Sequence, residues 1–153
     1  MNRRYLVLAS ILLSGLAALA HAQTSEMDAV KIPLENYIKA HATGDPEFAR
    51  KAFHTEGNMT FVRDGKYVTE TFDAFIKRAF TGKPAADEDK RKDHRRIGKI
   101  EIVGNAATAT IILEYPAVKF TDFMTLLKFN GEWKIVNKTF YAEPRAAIEL
   151  KKN

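Results

Sequence analysis

The sequence predicts an α+β domain, three amphipathic helices packed on a curved, mainly antiparallel β-sheet. Three observations carry that expectation. Helical periodicity is confined to the first part of the chain, up to about residue 80. The stretch 97–141 alternates in the manner of strands, and two short turns, Gly104-Asn105 and Asn130-Gly131, divide it into ribbons.

The chain begins with a segment to be set aside from the fold. Arg3 and Arg4 precede an apolar run, Leu6 to Ala20, and Ala20-His21-Ala22 supplies a small-x-small pattern. Residues 1–22 therefore read as a cleaved signal peptide, and the expected location is periplasmic or secreted. A retained anchor is the alternative, but the run is shorter than the roughly 20 apolar residues a span needs. No membrane insertion is expected after cleavage. The expected domain covers 23–144, with 145–153 as a C-terminal tail. The 153 residues include no cysteine, which excludes a disulfide framework, thiolate metal sites and a Cys nucleophile. The formal charge of +5 falls to +3 once Arg3 and Arg4 are removed, too mild a balance to name a partner.

Within the domain, Val30, Leu34, Tyr37, Ile38 and His41 share one face of a helix over 24–42. Pro33 lies inside that pattern, so the regular helix either starts there or is kinked. Gly44 ends it. Asp45-Pro46, an N-cap followed by proline at the first helical position, opens a short helix through about Phe53. Asn58 to Arg63 and Lys66 to Val68 form a small hairpin about Asp64-Gly65. Phe72, Phe75, Ile76, Ala79 and Phe80 mark a third helix, which Gly82-Lys83-Pro84 stops. Lys83 to Asp93 is polar and aperiodic and reads as a mobile surface loop. Four strands follow: 97–103, 106–115, 120–129 and 132–141.

Strand parity identifies the candidate site. With two-residue turns, Asn130-Gly131 pairs Leu126 with Ile135, Met124 with Asn137, Asp122 with Thr139, and Phe120 with Tyr141. Gly104-Asn105 pairs Ile102 with Ala107, Ile100 with Ala109, Arg96 with Leu113, and His94 with Tyr115. The expected inner face is apolar near the turns and polar at the far ends, where His94, Arg96, Tyr115, Asp122, Asn137, Thr139 and Tyr141 gather. Three helices rich in Phe and Leu can cover that face, giving apolar walls with a few convergent polar groups, the anatomy of a small-molecule site. The opposite face carries Phe123, Leu127, Phe140 and lysines, a mixture suited to a homodimer interface.

Tyr37-Ile38, Ala52-Phe53-His54, Gly104-Asn105-Ala106-Ala107 and above all Thr121-Asp122-Phe123 through Leu126-Leu127-Lys128-Phe129-Asn130-Gly131-Glu132-Trp133-Lys134-Ile135-Val136-Asn137-Lys138 carry a resemblance. Over nearly all of 26–142 the chain resembles the nuclear transport factor 2-like superfamily, the cone-shaped fold shared with ketosteroid isomerases, and within it the putative lumazine-binding branch. The resemblance implies the cone. It leaves the function open, because that superfamily hosts enzymes and plain binders alike.

Each polar residue then has two readings. Asp122 is either a poorly solvated general base, with Tyr115 or Tyr141 as donor to an oxyanion, or a structural acceptor for Thr139 or Asn137. His94, Arg96 and Tyr115 either bind an anion or form a solvated strand end. His54 is a helix-end residue or a ligand contact, and Tyr37 is pocket or core. Trp133 joins the core with Leu126 and Ile135, and Lys128 faces it for a cation–π contact. No metal or cofactor is expected, since the histidines lack ligand spacing and no Gly-rich phosphate loop appears. Nucleic-acid binding through 90–96 is disfavoured by the small charge and the lack of interleaved aromatics. The expected function is an exported small-molecule binder, and the alternative is an isomerase- or lyase-type enzyme using Asp122 with Tyr115.

Overall fold

A computed structural model describes residues 25–145; the leader and all but the first residue of the expected tail lie outside the described residues. The first helix, α1, spans 25–43 and runs through Pro33 without interruption. Its face of Val30, Leu34, Tyr37 and Ala40 is fully buried. Next comes α2, Pro46–Ala52, where the Asp45 carboxylate accepts from the Glu47 amide at 2.9 Å and Pro46 opens the first turn. The third helix, α3, Phe72–Ala79, is capped by the Thr71 hydroxyl and buries Phe72, Phe75 and Ile76.

The strands are β1 (Phe53–Arg63), β2 (Lys66–Thr71), β3 (Arg95–Val103), β4 (Ala106–Glu114), β5 (Val118–Phe129) and β6 (Glu132–Pro144). They form one sheet in the order β2-β1-β6-β5-β4-β3, with only β1 and β6 parallel. All three hairpin turns fall where expected. Asp64-Gly65 and Asn130-Gly131 have positive φ at both central positions, which matches the right-handed twist of the flanking strands.

Two bulges change the parity counted from the C-terminal turns, and a third register shift lies between Phe53 and Asn58 where β1 meets β6. From Phe129 to Leu126 the ladder with β6 is regular, but Thr125 then pairs with Asn137 rather than Val136. Val136 is the extra residue, and everything beyond it in β6 is turned over. Lys138, Phe140 and Ala142 therefore line the inner cavity, while Thr139 is exposed and Tyr141 is 66% exposed. In β3 the ladder slips between Ile97 and Ile100, so Arg95, not Arg96, pairs with Leu113. Each bulge has a glycine beside it. A Cβ on Gly57 would lie 2.5 Å from the Phe72 ring and 2.8 Å from the Val136 carbonyl oxygen, so the bulged β6 and α3 both press where only hydrogen fits. Gly98 lies within the β3 slip itself, with the Thr110 carbonyl 3.3 Å from where its Cβ would be.

The segment between α3 and β3, expected as a surface loop, is tied to the domain at Glu88. It carries a short 3₁₀ turn, Glu88–Lys90, and Glu88 grips Arg95 with two contacts of 2.6 Å. Trp133 is core as expected, and its indole donates to Glu26 at 3.1 Å. Lys128 reaches the same carboxylate at 2.6 Å, so the start of α1 is pinned to the β5–β6 hairpin.

Candidate functional site

Between the helices and the inner sheet face lies a cavity of about 640 Å³. Its walls are aromatic and aliphatic. Phe75 comes from α3, Met59 and Phe61 from β1, Leu113 and Phe120 from β4 and β5, and Phe140 from β6. Phe61 and Phe140 pack with ring centroids 4.8 Å apart. Arg63, Arg78 and Arg91 add positive charge to the lining. Arg78 is engaged by both oxygens of Glu70, at 3.0 and 2.8 Å, and Arg91 lies over the Tyr115 ring at 4.4 Å.

The polar groups inside form two clusters. In the first, Asp122 is fully buried; the Tyr37 hydroxyl donates to its Oδ2 at 2.6 Å. The Lys138 ammonium donates to the Tyr37 hydroxyl at 3.0 Å and approaches Asp122 Oδ2 at 3.4 Å. Asp122 Oδ1 is buried without a hydrogen-bond partner. Burial pushes the Tyr37 hydroxyl well above the usual tyrosine range, and the neighbouring Asp122 charge pushes it further. Burial also lowers Lys138 below the ordinary lysine range, against the opposing pull of Asp122. In the second cluster, the Tyr115 hydroxyl meets His41 Nδ1 and Arg95 Nε, both at 3.4 Å. His41 Nε2 is buried without a partner. Desolvation, then the charges of Lys138, Arg95 and Arg91, hold His41 well below its ordinary value, so the imidazole is neutral at pH 7.

The structure gathers three of the nine residues expected at the site, Tyr37, Tyr115 and Asp122, and separates the other six from it. Asn137 faces away and donates to the Asn58 side chain at 2.8 Å. Thr139 and Tyr141 share its outer face because Val136 shifts them out of phase. Arg96 is exposed and pairs with Glu114 at 3.0 Å. His94 gives its carbonyl to the Glu114 amide at 2.9 Å. His54 stacks on Phe129, with ring centroids 4.8 Å apart. In their place the bulges bring Lys138 and Arg95 inward, and α1 brings His41. Of the two oxyanion donors expected, Tyr141 lies on the outer face and Tyr115 lines the cavity, while the tyrosine hydroxyl bonded to Asp122 belongs to Tyr37. A glycine inside a strand is the available signal for a bulge, and Gly57 and Gly98 both supply it.

A buried carboxylate with one free oxygen, a lysine and a tyrosine around its other oxygen, and a neutral imidazole in the same cavity can bind a donor group and move protons. Among the described residues no group of three or more His, Asp or Glu could hold a metal ion, and no helix is long and apolar enough to cross a membrane.

The element order and sheet topology are those of the nuclear transport factor 2-like α+β fold. Within it, the chain belongs to the family described as putative lumazine-binding, whose sequence pattern matches residues 25–141. Among curated proteins, an aldolase, FrzH of Cladobotryum sp, is 26% identical over 134 residues, covering 82% of this chain and 98% of that protein. An NTF2-like protein of unknown function from Methylobacillus flagellatus KT is 29% identical. It matches with a TM-score of 0.66 over 78% of this chain and 93% of its own. Another, from Shewanella baltica OS155, is 25% identical with a TM-score of 0.68, over 80% and 97% of the two chains.

Proposed function

We propose that this protein is an exported binder of a small, partly aromatic or anionic molecule held between the helices and the sheet, acting as a homodimer through the outer sheet face. One observation carries the binding reading. The cavity combines apolar walls with a fully buried carboxylate whose Oδ1 lacks a donor. A buried acceptor left unmade costs about 1–3 kcal/mol, so a ligand N–H or O–H placed there recovers stability while its apolar body fills the aromatic walls. The arginines of the lining suit an anionic substituent. Export rests on the leader-like residues 1–22.

A second reading, a lyase-type enzyme with Asp122 as general base and Tyr37 as proton donor, is favoured by the aldolase relative and by the 2.6 Å contact between these two groups. Thermal melts across a broad metabolite panel separate the two. A ligand that raises Tm supports binding. Turnover lost in Asp122→Asn while affinity persists selects the enzyme, and a ligand that raises Tm with no turnover of any panel member selects the binder. A flat melting profile across the whole panel counts against both.

A further inference from the structure

We propose that Lys138 is a covalent attachment point, its Nζ condensing with the carbonyl carbon of an aldehyde or ketone bound in the cavity to form an imine. The inference rests on the reading of the cavity as a small-molecule site and narrows its ligand to carbonyl compounds.

Lysine is among the residue types least often buried, yet Lys138 is 4% exposed and stands in the cavity wall. Three rings surround its nitrogen, Tyr37 at 5.3 Å and Phe75 and Phe140 at 4.8 Å each. A lysine whose purpose is to neutralise a buried carboxylate is expected to sit at about 2.7–2.9 Å from it. The partly exposed Lys128–Glu26 pair in this same molecule is tighter, at 2.6 Å. Lys138 stands 3.4 Å from Asp122 and closer to the Tyr37 hydroxyl, at 3.0 Å. The amine is therefore held among aromatic faces, in a long ion pair with Asp122 and a closer contact with the Tyr37 hydroxyl. Burial further lowers its affinity for a proton, the condition under which lysines become nucleophiles.

The residues present balance the step. Lys138 passes one proton to Asp122 and becomes a neutral amine. Its lone pair forms the C–N bond as the carbonyl π bond breaks toward oxygen, and the proton carried on nitrogen moves to that oxygen through the Tyr37 hydroxyl. The carbinolamine hydroxyl then takes the proton held by Asp122 and leaves as water. This leaves an iminium facing the Asp122 carboxylate, with no oxidant or reductant consumed. From there Asp122 can accept a proton from the carbon next to the iminium, giving an enamine able to attack a second carbonyl.

The test uses the intact protein with benzaldehyde as probe and sodium cyanoborohydride as trap at pH 7, followed by peptide mapping. The expected result is one benzyl group on Lys138, acquired about tenfold faster than on an exposed lysine such as Lys99, because the cavity holds the carbonyl beside the amine. Tyr37→Phe is expected to slow that labelling. Lys138→Arg, which keeps the cation, is expected to abolish the cavity adduct while surface labelling continues. Benzyl alcohol, which has the same shape without a carbonyl, provides the separate check on binding. If it raises Tm while Lys138 stays unmodified, the imine is overturned and the binding site stands. Labelling confined to surface lysines with no shift from either compound overturns both.

Discussion

His41 is drawn inside by the helical face that buries Tyr37 and Ala40, and its surroundings decide its charge. Tyr37 and Phe80 pack edge-on against its ring at 4.7 and 5.1 Å, and the cations Lys138, Arg95 and Arg91 add to desolvation in opposing protonation. In the unfolded chain the same imidazole takes a proton near pH 6.5. The unfolded state thus binds more protons just below that pH, and stability falls as pH falls. The contribution of His41 is intact above about pH 6.5 and is lost below it, by up to about 1.4 kcal/mol per pH unit until the depressed folded value is reached. Urea melts between pH 8 and pH 5 are expected to show this decline, and His41→Gln to flatten it. An unchanged slope in that variant would assign the effect to other groups.

The segment between α3 and β3 owes its order to an ion pair rather than to its own sequence pattern. The Arg95 side chain is 1% exposed and bonds both Glu88 oxygens and the His41 carbonyl. Arg91, one turn beyond Glu88, lies on Tyr115, so this segment supplies one edge of the cavity. Removing the Glu88 charge leaves a buried guanidinium without its counter-ion. Glu88→Gln is expected to destabilise the fold by about 2–4 kcal/mol and to speed amide exchange across 83–94, while the β5–β6 hairpin stays protected at the same fraction of global stability. Uniformly altered exchange would mean that the segment unfolds only with the whole domain. The bulges belong to the same scale. Val136 and the β3 slip each add one residue to a strand, and each reassigns which side chains beyond it look inward.

At the scale of the molecule, the sheet offers one face to the helices and leaves the other open. Tyr67, Phe123 and Tyr141 stand on that open face at 76%, 55% and 66% exposure. The face is also grooved, with one depression between β1, β2 and β6 and another across β3 to β6. Apolar side chains so arrayed favour a second copy of the chain. Light scattering at high concentration is expected to give the dimer mass, and Phe123→Asp together with Tyr141→Asp the monomer mass. A monomer in the parent protein would remove the assembly from the proposal.

Local sequence settles the element types, the caps and the turns, because each is set by contacts within a few residues. Asp45-Pro46 stops one segment and opens the next, Asn130-Gly131 needs two positive φ angles, and the 3.6-residue period of α1 states which face is apolar. It also placed Tyr37, Tyr115 and Asp122, which precede or lie apart from any slip. The inward identity of Lys138 and Arg95 comes instead from packing between distant segments. A strand's parity can be counted from its turn until an extra residue is inserted, and that insertion depends on distant neighbours. The Val136 carbonyl finds room only because Gly57, on another strand, has no side chain, and Gly98 lies within its slip under the Thr110 carbonyl. Counting from the turns therefore ran true to Ile135 in β6 and Ile100 in β3 and reversed beyond them.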